Sequence, residues 1–356
     1  MQLSTHQRAR GRGTLVSDLG ILITIGILLL AATVAGSASL YKHFYSPSAF
    51  VEEYLSLLAE GRTAEALLVP GVDLSAEQRE KAGIDATASD ALLRSAALSP
   101  ISDVAVVNER NDGDVTFVTV DYVAGIHSGS TTFQVKRDGW IGIAPGWRFA
   151  QSPLSVIELT VLGSDQFAVN GFSLDRRQVA ALGIDSAREE PVPLLVFSPG
   201  LYTVSVDTAI ATTPGVSVLA DAPLTTVPVD VQTTATTKFT GVVQEQVEAF
   251  LTACATQKVL QPTDCPFGML VQNYITDEPT WSIPTMPQVT VEPDGAEWKI
   301  APTPALAHLS VEVQLIYDGT IEQLEQDVPF TVTGEIHVLP DGSVSIIVGG
   351  APTADT

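Results

Sequence analysis

The chain is 356 residues long and strongly acidic, with 41 Asp+Glu against 18 Lys+Arg and a formal net charge of −23. Nucleic acid is thereby excluded as a partner class, because its phosphates demand a basic footprint that this composition lacks. The charge also opposes adsorption to anionic lipid surfaces and leaves cations or basic polymers as the favoured electrostatic company.

Residues 1–18 carry Arg8, Arg10 and Arg12 against the single acid Asp18, and Leu19 to Leu40 then run 22 residues without a formal charge. At about 1.5 Å per residue that run reaches roughly 33 Å, enough to cross a hydrocarbon core, and the positive-inside bias keeps the tail inside. The sequence therefore predicts a cytoplasmic tail over 1–18, a single transmembrane helix over 19–41 and an extracytoplasmic C-terminus. The competing reading is a cleaved secretory signal ending at Gly36-Ser37-Ala38. Such signals have apolar regions of roughly 7–15 residues, shorter than this one. Tyr41, Lys42, Phe44 and Tyr45 also suit a membrane interface, so the uncleaved anchor is the expectation.

Beyond residue 41 the chain has 15 Lys+Arg and 40 Asp+Glu, once the three arginines and one aspartate before it are set aside. About 315 exported residues are too many for one ordinary domain and suggest two or three. The first segment, 46–150, opens with Ser46-Pro47, a cap followed by proline at the first helical position. Phe50, Tyr54, Leu57 and Leu58 then mark one apolar helix face, ending at Gly61. Shorter helices are predicted at Ala64 to Val69, Ser75 to Ala82 and Ser89 to Ala97, where Ala, Leu and Arg dominate. The period then falls to two. Val115 to Val123 and Thr131 to Val135 read as strands, with turn signals at Asn111-Asp112-Gly113 and Asp138-Gly139.

In the second segment, 151–238, short β-rich runs such as Ser155 to Val161 and Pro193 to Val206 are separated by Pro, Gly and Asn, with one helical stretch at Asp175 to Leu182. That pattern favours a small sandwich. The third segment, 239–349, begins with a helix whose apolar face is Val243, Val247, Phe250, Leu251 and Cys254. Strands follow, with Leu309, Val311, Val313, Leu315 and Tyr317 alternating against Ser310, Glu312 and Gln314, and Phe330, Val332, Ile336 and Val338 against Thr331, Thr333, Glu335 and His337. The expected fold class is therefore α+β and β: a transmembrane helix, a helix-plus-antiparallel-sheet domain, a small β-sandwich and a second helix-plus-antiparallel-sheet domain. A disordered tail is expected over 350–356.

A helix-first unit followed by a curved antiparallel sheet resembles the cone-shaped α+β fold of the nuclear transport factor two-like superfamily, as carried by single-pass Gram-positive envelope proteins. The likeness covers 46–150 and, more weakly, 239–349, and it rests on element order. It implies a fold and no function. Val169-Asn-Gly171 with Phe197-Ser-Pro-Gly-Leu-Tyr-Thr-Val-Ser-Val206 is similar to small surface-protein β-domains that serve as structural spacers.

The exported part holds no G-x-S-x-G, H-E-x-x-H, Walker A, G-x-G-x-x-G or paired C-x-x-C. Its two cysteines, Cys254 and Cys265, are expected to form one disulfide in an oxidising compartment, and no nearby histidine completes a metal site. No cofactor or metal is expected. Among the histidines, His43 adjoins the predicted anchor, His127 falls in a hairpin turn and His308 begins a strand. His337 shares a strand face with Glu335, the one pair worth testing for acid/base work. Asn108 to Asp114 is the densest oxygen-rich stretch, but its spacing fails the twelve-residue calcium loop and reads as a hairpin turn. Trp147, Trp281 and Trp298 could stack on a sugar, although core or hairpin-capping roles are commoner for tryptophan. The expected function is a non-enzymatic, membrane-anchored binding or scaffolding protein of the cell envelope, with an envelope protein or cell-wall polymer as partner. The alternative is an extracytoplasmic enzyme with a pocket in a cone-shaped α+β domain.

Overall fold

The computed structural model describes residues 23–28, 44–141, 144–339 and 343–349. They divide into two compact units, one from residues up to 73 with 102–123 and 128–152, the other from 74–101, 124–127 and 153 onward.

In the first unit, helix α1 (Pro47–Ala59) starts where Ser46 Oγ accepts the Ala49 amide at 3.1 Å and Pro47 occupies the first turn. Its buried stripe is Val51, Tyr54, Leu55, Leu57 and Leu58, with Phe50 only half-buried at its edge. Helix α2 (Thr63–Leu68) follows. The stripe covers a four-stranded sheet in the order β1 (Ile101–Asp112), β2 (Val115–Ala124), β3 (His127–Ile141) and β4 (Ala144–Phe149). Tyr54, Phe133 and Phe149 meet at the centre with ring centroids 5.1 to 6.2 Å apart, within the range where tilted aromatic pairs add to area burial. Asp138-Gly139 does not turn the chain; β3 passes through it with a register shift between Arg137 and Trp140.

The second unit begins with α3 (Ala76–Ala82), whose Ser75 and Gln78 form a reciprocal capping box. Three sheets follow. One orders β11 (Thr226–Gln232), β5 (Leu154–Leu162) and β8 (Val192–Phe197), with β11 and β5 parallel. Another orders β12 (Thr234–Ala235), β10 (Ala211–Ala220), β9 (Gly200–Asp207), β6 (Gln166–Val169) and β7 (Phe172–Asp175). Here Asn170 and Gly171 both take positive φ between β6 and β7, and the Asn170 amide ties the turn to the Ala97 and Leu201 carbonyls at 2.9 Å each.

The last sheet is dominated by a hairpin of two 18-residue strands, β16 (Glu297–Gln314) and β17 (Ile321–Val338). β13 (Tyr274–Ile275), β14 (Thr280–Ser282) and β15 (Val291–Asp294) pair with β16, and β18 (Val344–Gly349) pairs with β17. A one-turn helix α4 (Arg176–Val179) and the long α5 (Thr237–Ala255) complete the unit. α5 buries Phe239, Val243, Val247, Leu251 and Cys254, and Phe239 stands edge-on to the buried Trp298 at 5.7 Å. One core cluster runs from Ala91 through all three sheets to Ile336.

The expected fold class is corrected: the described residues are mainly β, arranged in four sheets, and do not alternate helix-plus-sheet domains with a sandwich behind a transmembrane helix. Helices shrink where tertiary pairing competes better than local propensity. Ser89 exchanges backbone hydrogen bonds with Pro193 and Leu195 instead of starting a helix, leaving only a short 3-10 turn at Ser95–Ala97. Asp175 to Leu182 keeps one turn, because the buried Arg176 guanidinium donates to the carbonyls of Ser186, Ala187 and Glu190 and folds the chain back. Among the described residues no helix is long and apolar enough to cross a membrane. Of the predicted span only 23–28 is described, as helix; the rest of it, the tail over 1–18 and the tail over 350–356 lie outside the described residues.

Candidate functional site

Within the second unit the ends of several elements enclose a cleft of about 340 Å3, lined by Val161 of β5, residues 163–166 that follow it, Arg177 of α4, Arg188, the Thr208–Ile210 turn, Ala296 and the end of β17 at Val338 and Leu339. Gly163 makes the first wall. At φ +89°, it lies where a Cβ would sit 2.3 Å from Thr233 Oγ1 and 2.9 Å from the Trp298 ring. Ser164 Oγ then accepts the Gln166 amide and donates to its carbonyl, a local turn that sends Asp165 toward α4. The Asp165 carbonyl accepts the Arg176 amide at 2.7 Å.

Both arginines are fixed by carboxylates. Asp175 caps α4 through the Arg177 amide and grips the same residue's guanidinium at 2.8 and 2.5 Å. The Arg177 hydrogen bonds hold the Asp175 carboxyl below the ordinary carboxylate range, and Asp175 in turn raises the guanidinium. Arg188 donates to Glu297 Oε1 at 2.9 Å and to the Val338 carbonyl at 2.8 Å, and lies 3.6 Å from Asp165. Two cations thus face three carboxylates. The cleft has no spare positive charge, and aliphatic Val161, Ile210, Val338 and Leu339 alternate with the hydroxyl or amide groups of Ser164, Thr208 and Gln166 along its walls.

His337 lies just outside. Its Nε2 is 3.7 Å from Glu335 and its Nδ1 3.8 Å from Glu297, both beyond hydrogen-bonding distance. The side chains share a face, as the spacing requires, without the 2.6–3.2 Å contact of a working acid/base pair. His308 does not begin a strand; it sits in the middle of β16, with Nδ1 2.7 Å from Asp327 and Nε2 2.8 Å from Glu325, which also accepts Ser310 Oγ at 2.8 Å. Asp327, then Glu325, raise its pKa. Alternation alone puts His308 and Ser310 on the wet face of β16; the first half of β17, which the alternating pattern from Phe330 to Val338 does not include, brings Asp327 and Glu325 opposite.

Cys254 and Cys265 are at disulfide-bonding distance, with Cα atoms 5.8 Å apart. Trp281 and Trp298 are buried in the core, whereas Trp147 is half-buried and donates to the Tyr45 carbonyl at 2.9 Å. His127 opens β3, Asn108 to Asp114 form the end of β1 and its turn, and His43 lies outside the described residues. Among the described residues no group of three His, Cys, Asp or Glu side chains is arranged to hold a metal. Compared with known proteins, the chain matches no family model, no curated sequence and no solved structure.

Proposed function

We propose that this chain is a membrane-anchored, extracytoplasmic binding protein of the cell envelope, and that the cleft at Arg188 receives a small neutral or cationic amphiphilic group. The observation that carries the reading is the internal neutralisation of Arg177 and Arg188 by Asp175, Asp165 and Glu297. Arginines so held act as fixed walls, and a half-apolar cavity of this volume with a few oriented polar groups has the character of a ligand site. The surplus carboxylate disfavours anions. The basic tail before an uncharged run of 22 residues supports the anchored topology, and a cysteine pair at bonding distance suits an oxidising compartment.

Two measurements test the proposal. A reporter active only outside the membrane, fused after Thr356, is expected to be active; inactivity overturns the topology. For the cleft, the full-length chain in neutral detergent is used as bait against envelope extracts and then challenged with neutral, cationic and anionic amphiphiles in a thermal-shift assay. A shift with the neutral or cationic compounds that Arg188→Met abolishes supports the reading. Anionic compounds alone giving the shift would overturn it.

A further inference from the structure

A second cleft, of about 1000 Å3, lies wholly within the first unit, where the β1–β2 turn, the ends of β3 and β4 and residues 45–47 meet. Three of the chain's 18 basic residues line it: Lys136, Arg137 and Arg148. In a chain with 41 acids these cations have every opportunity for pairing. Glu109, Asp114 and Asp138 line the same cleft, with Glu109 accepting a hydrogen bond from Ser48, yet among the described residues none of the three cations has a carboxylate within ion-pair distance.

The placement itself is unfavourable to the fold. Lys136 and Arg148 are direct cross-strand partners in β3–β4, and like charges opposite one another destabilise a sheet. Arg148 Nε is buried and has no hydrogen-bond partner among the described residues, a donor whose dehydration is uncompensated. In the neighbouring register pair Arg137 lies 5.7 Å over the Trp147 ring, adding a third charge that has no carboxylate partner among the described residues. A repulsive pair, an orphaned donor and an adjacent cation in one open cleft are all relieved by one anion with several acceptor oxygens.

We propose that this cleft binds a phosphate group, seated between Lys136 and Arg148, with Arg148 supplying directional donors and Arg137 supporting potential. The inference is independent of the Arg188 cleft. The phosphate belongs either to a soluble or polymer-borne ester or to a lipid headgroup; Tyr45 lies only four residues beyond Tyr41, where the predicted membrane span ends, which brings both sources within reach.

The test uses the full-length chain in neutral detergent, titrated with inorganic pyrophosphate and with glycerol 3-phosphate by calorimetry, and with vesicles of phosphatidylcholine alone or mixed with phosphatidylglycerol. Saturable binding of the soluble probes assigns the site to phosphate esters. Binding to the mixed vesicles that glycerol 3-phosphate does not displace assigns it to headgroups. In either case Lys136→Glu is expected to weaken binding at least tenfold and to raise the Tm, because it turns a repulsive cross-strand pair into an attractive one. Lys238→Glu makes the same charge change at an exposed position of α5 and is expected to leave binding within twofold. Binding of no probe, equal losses in the two variants, or a lower Tm for Lys136→Glu would each overturn the proposal.

Discussion

Arg188 offers the sharpest test of how the second unit's cleft is held. Its guanidinium joins Glu297 at 2.9 Å, the Val338 carbonyl at 2.8 Å and Asp165 at 3.6 Å, linking segments far apart in the chain. Its side chain is 28% exposed, with Asp165 at 19% and Glu297 at 37%, so neither the exposed nor the fully buried limit applies. Exposed ion pairs contribute about 0–1 kcal/mol, and breaking a buried pair costs about 3–5. Two short charge-assisted bonds in this intermediate setting are worth about 1 kcal/mol each. Arg188→Met is therefore expected to lower stability by about 2 kcal/mol. Glu297→Gln is expected to cost about 1, and the double variant less than the sum, with a coupling of about 1 kcal/mol. Urea unfolding followed by tryptophan fluorescence is suited to the cycle, because the buried Trp281 and Trp298 report this unit. A coupling under about 0.3 kcal/mol would mean that solvent already screens the pair, and the view of Arg188 as a fixed wall would fall.

Three further outcomes are expected. Cys254→Ser should lower stability by about 2–4 kcal/mol, and mass spectrometry of the non-reduced protein should show the Cys254 and Cys265 peptides linked; two free thiols in exported protein would refute the bridge. His308, held between Asp327 and Glu325, should titrate above the ordinary histidine value by NMR, and Asp327→Asn should bring it back down. Because its folded pKa is raised, its stabilising effect is complete below the unfolded value near 6.5 and disappears as pH rises through the folded midpoint; a midpoint at or below 6.5 contradicts the geometry. Gly163→Ala puts a Cβ 2.3 Å from Thr233 Oγ1 at φ +89°, and thermal unfolding should register a loss of about 2–4 kcal/mol.

What was legible in the sequence was local. Ser46-Pro47 announces α1, the periodic apolar face announces α5, and alternation from Leu309 to Val313 announces the core side of β16. Cys254 could be placed inward by helical period alone. What escaped depends on pairing at a distance. β5 and β11 lie side by side in parallel with register partners 70 positions apart, such as Val156 and Thr226, and nothing near either residue signals the other. Ser89 to Ala97 has helical composition, but two hydrogen bonds to the edge of β8 decide its conformation. The Arg188 cleft escaped for the same reason, since Asp165, Arg188, Glu297 and Val338 converge only after the sheets form. One local clue was present: Asp175 ahead of Arg176-Arg177 is a helix cap whose side chain can also grip the second arginine.

The chain's acidity sets the two clefts apart and carries a last expectation. At Arg188 the cations are neutralised by the fold's own carboxylates; at Lys136 and Arg148 no carboxylate among the described residues lies within ion-pair distance, although acids outnumber bases more than twofold in the sequence. A phosphate approaching Lys136 therefore meets two opposed fields, a long-range repulsion from a net charge of −23 and a short-range attraction inside the cleft. Salt separates them, because the screening length is about 30 Å at 0.01 M and about 10 Å at 0.1 M, whereas contact distances in the cleft are far shorter. Raising salt from 0.01 M should first remove most of the repulsion and strengthen pyrophosphate binding. Toward 1 M, where screening reaches about 3 Å, the contact itself should weaken. Affinity measured calorimetrically across that range is thus expected to pass through a maximum. A steady fall from the lowest salt would show that the distant acids are not felt in the cleft, and that the charges lining it set its field.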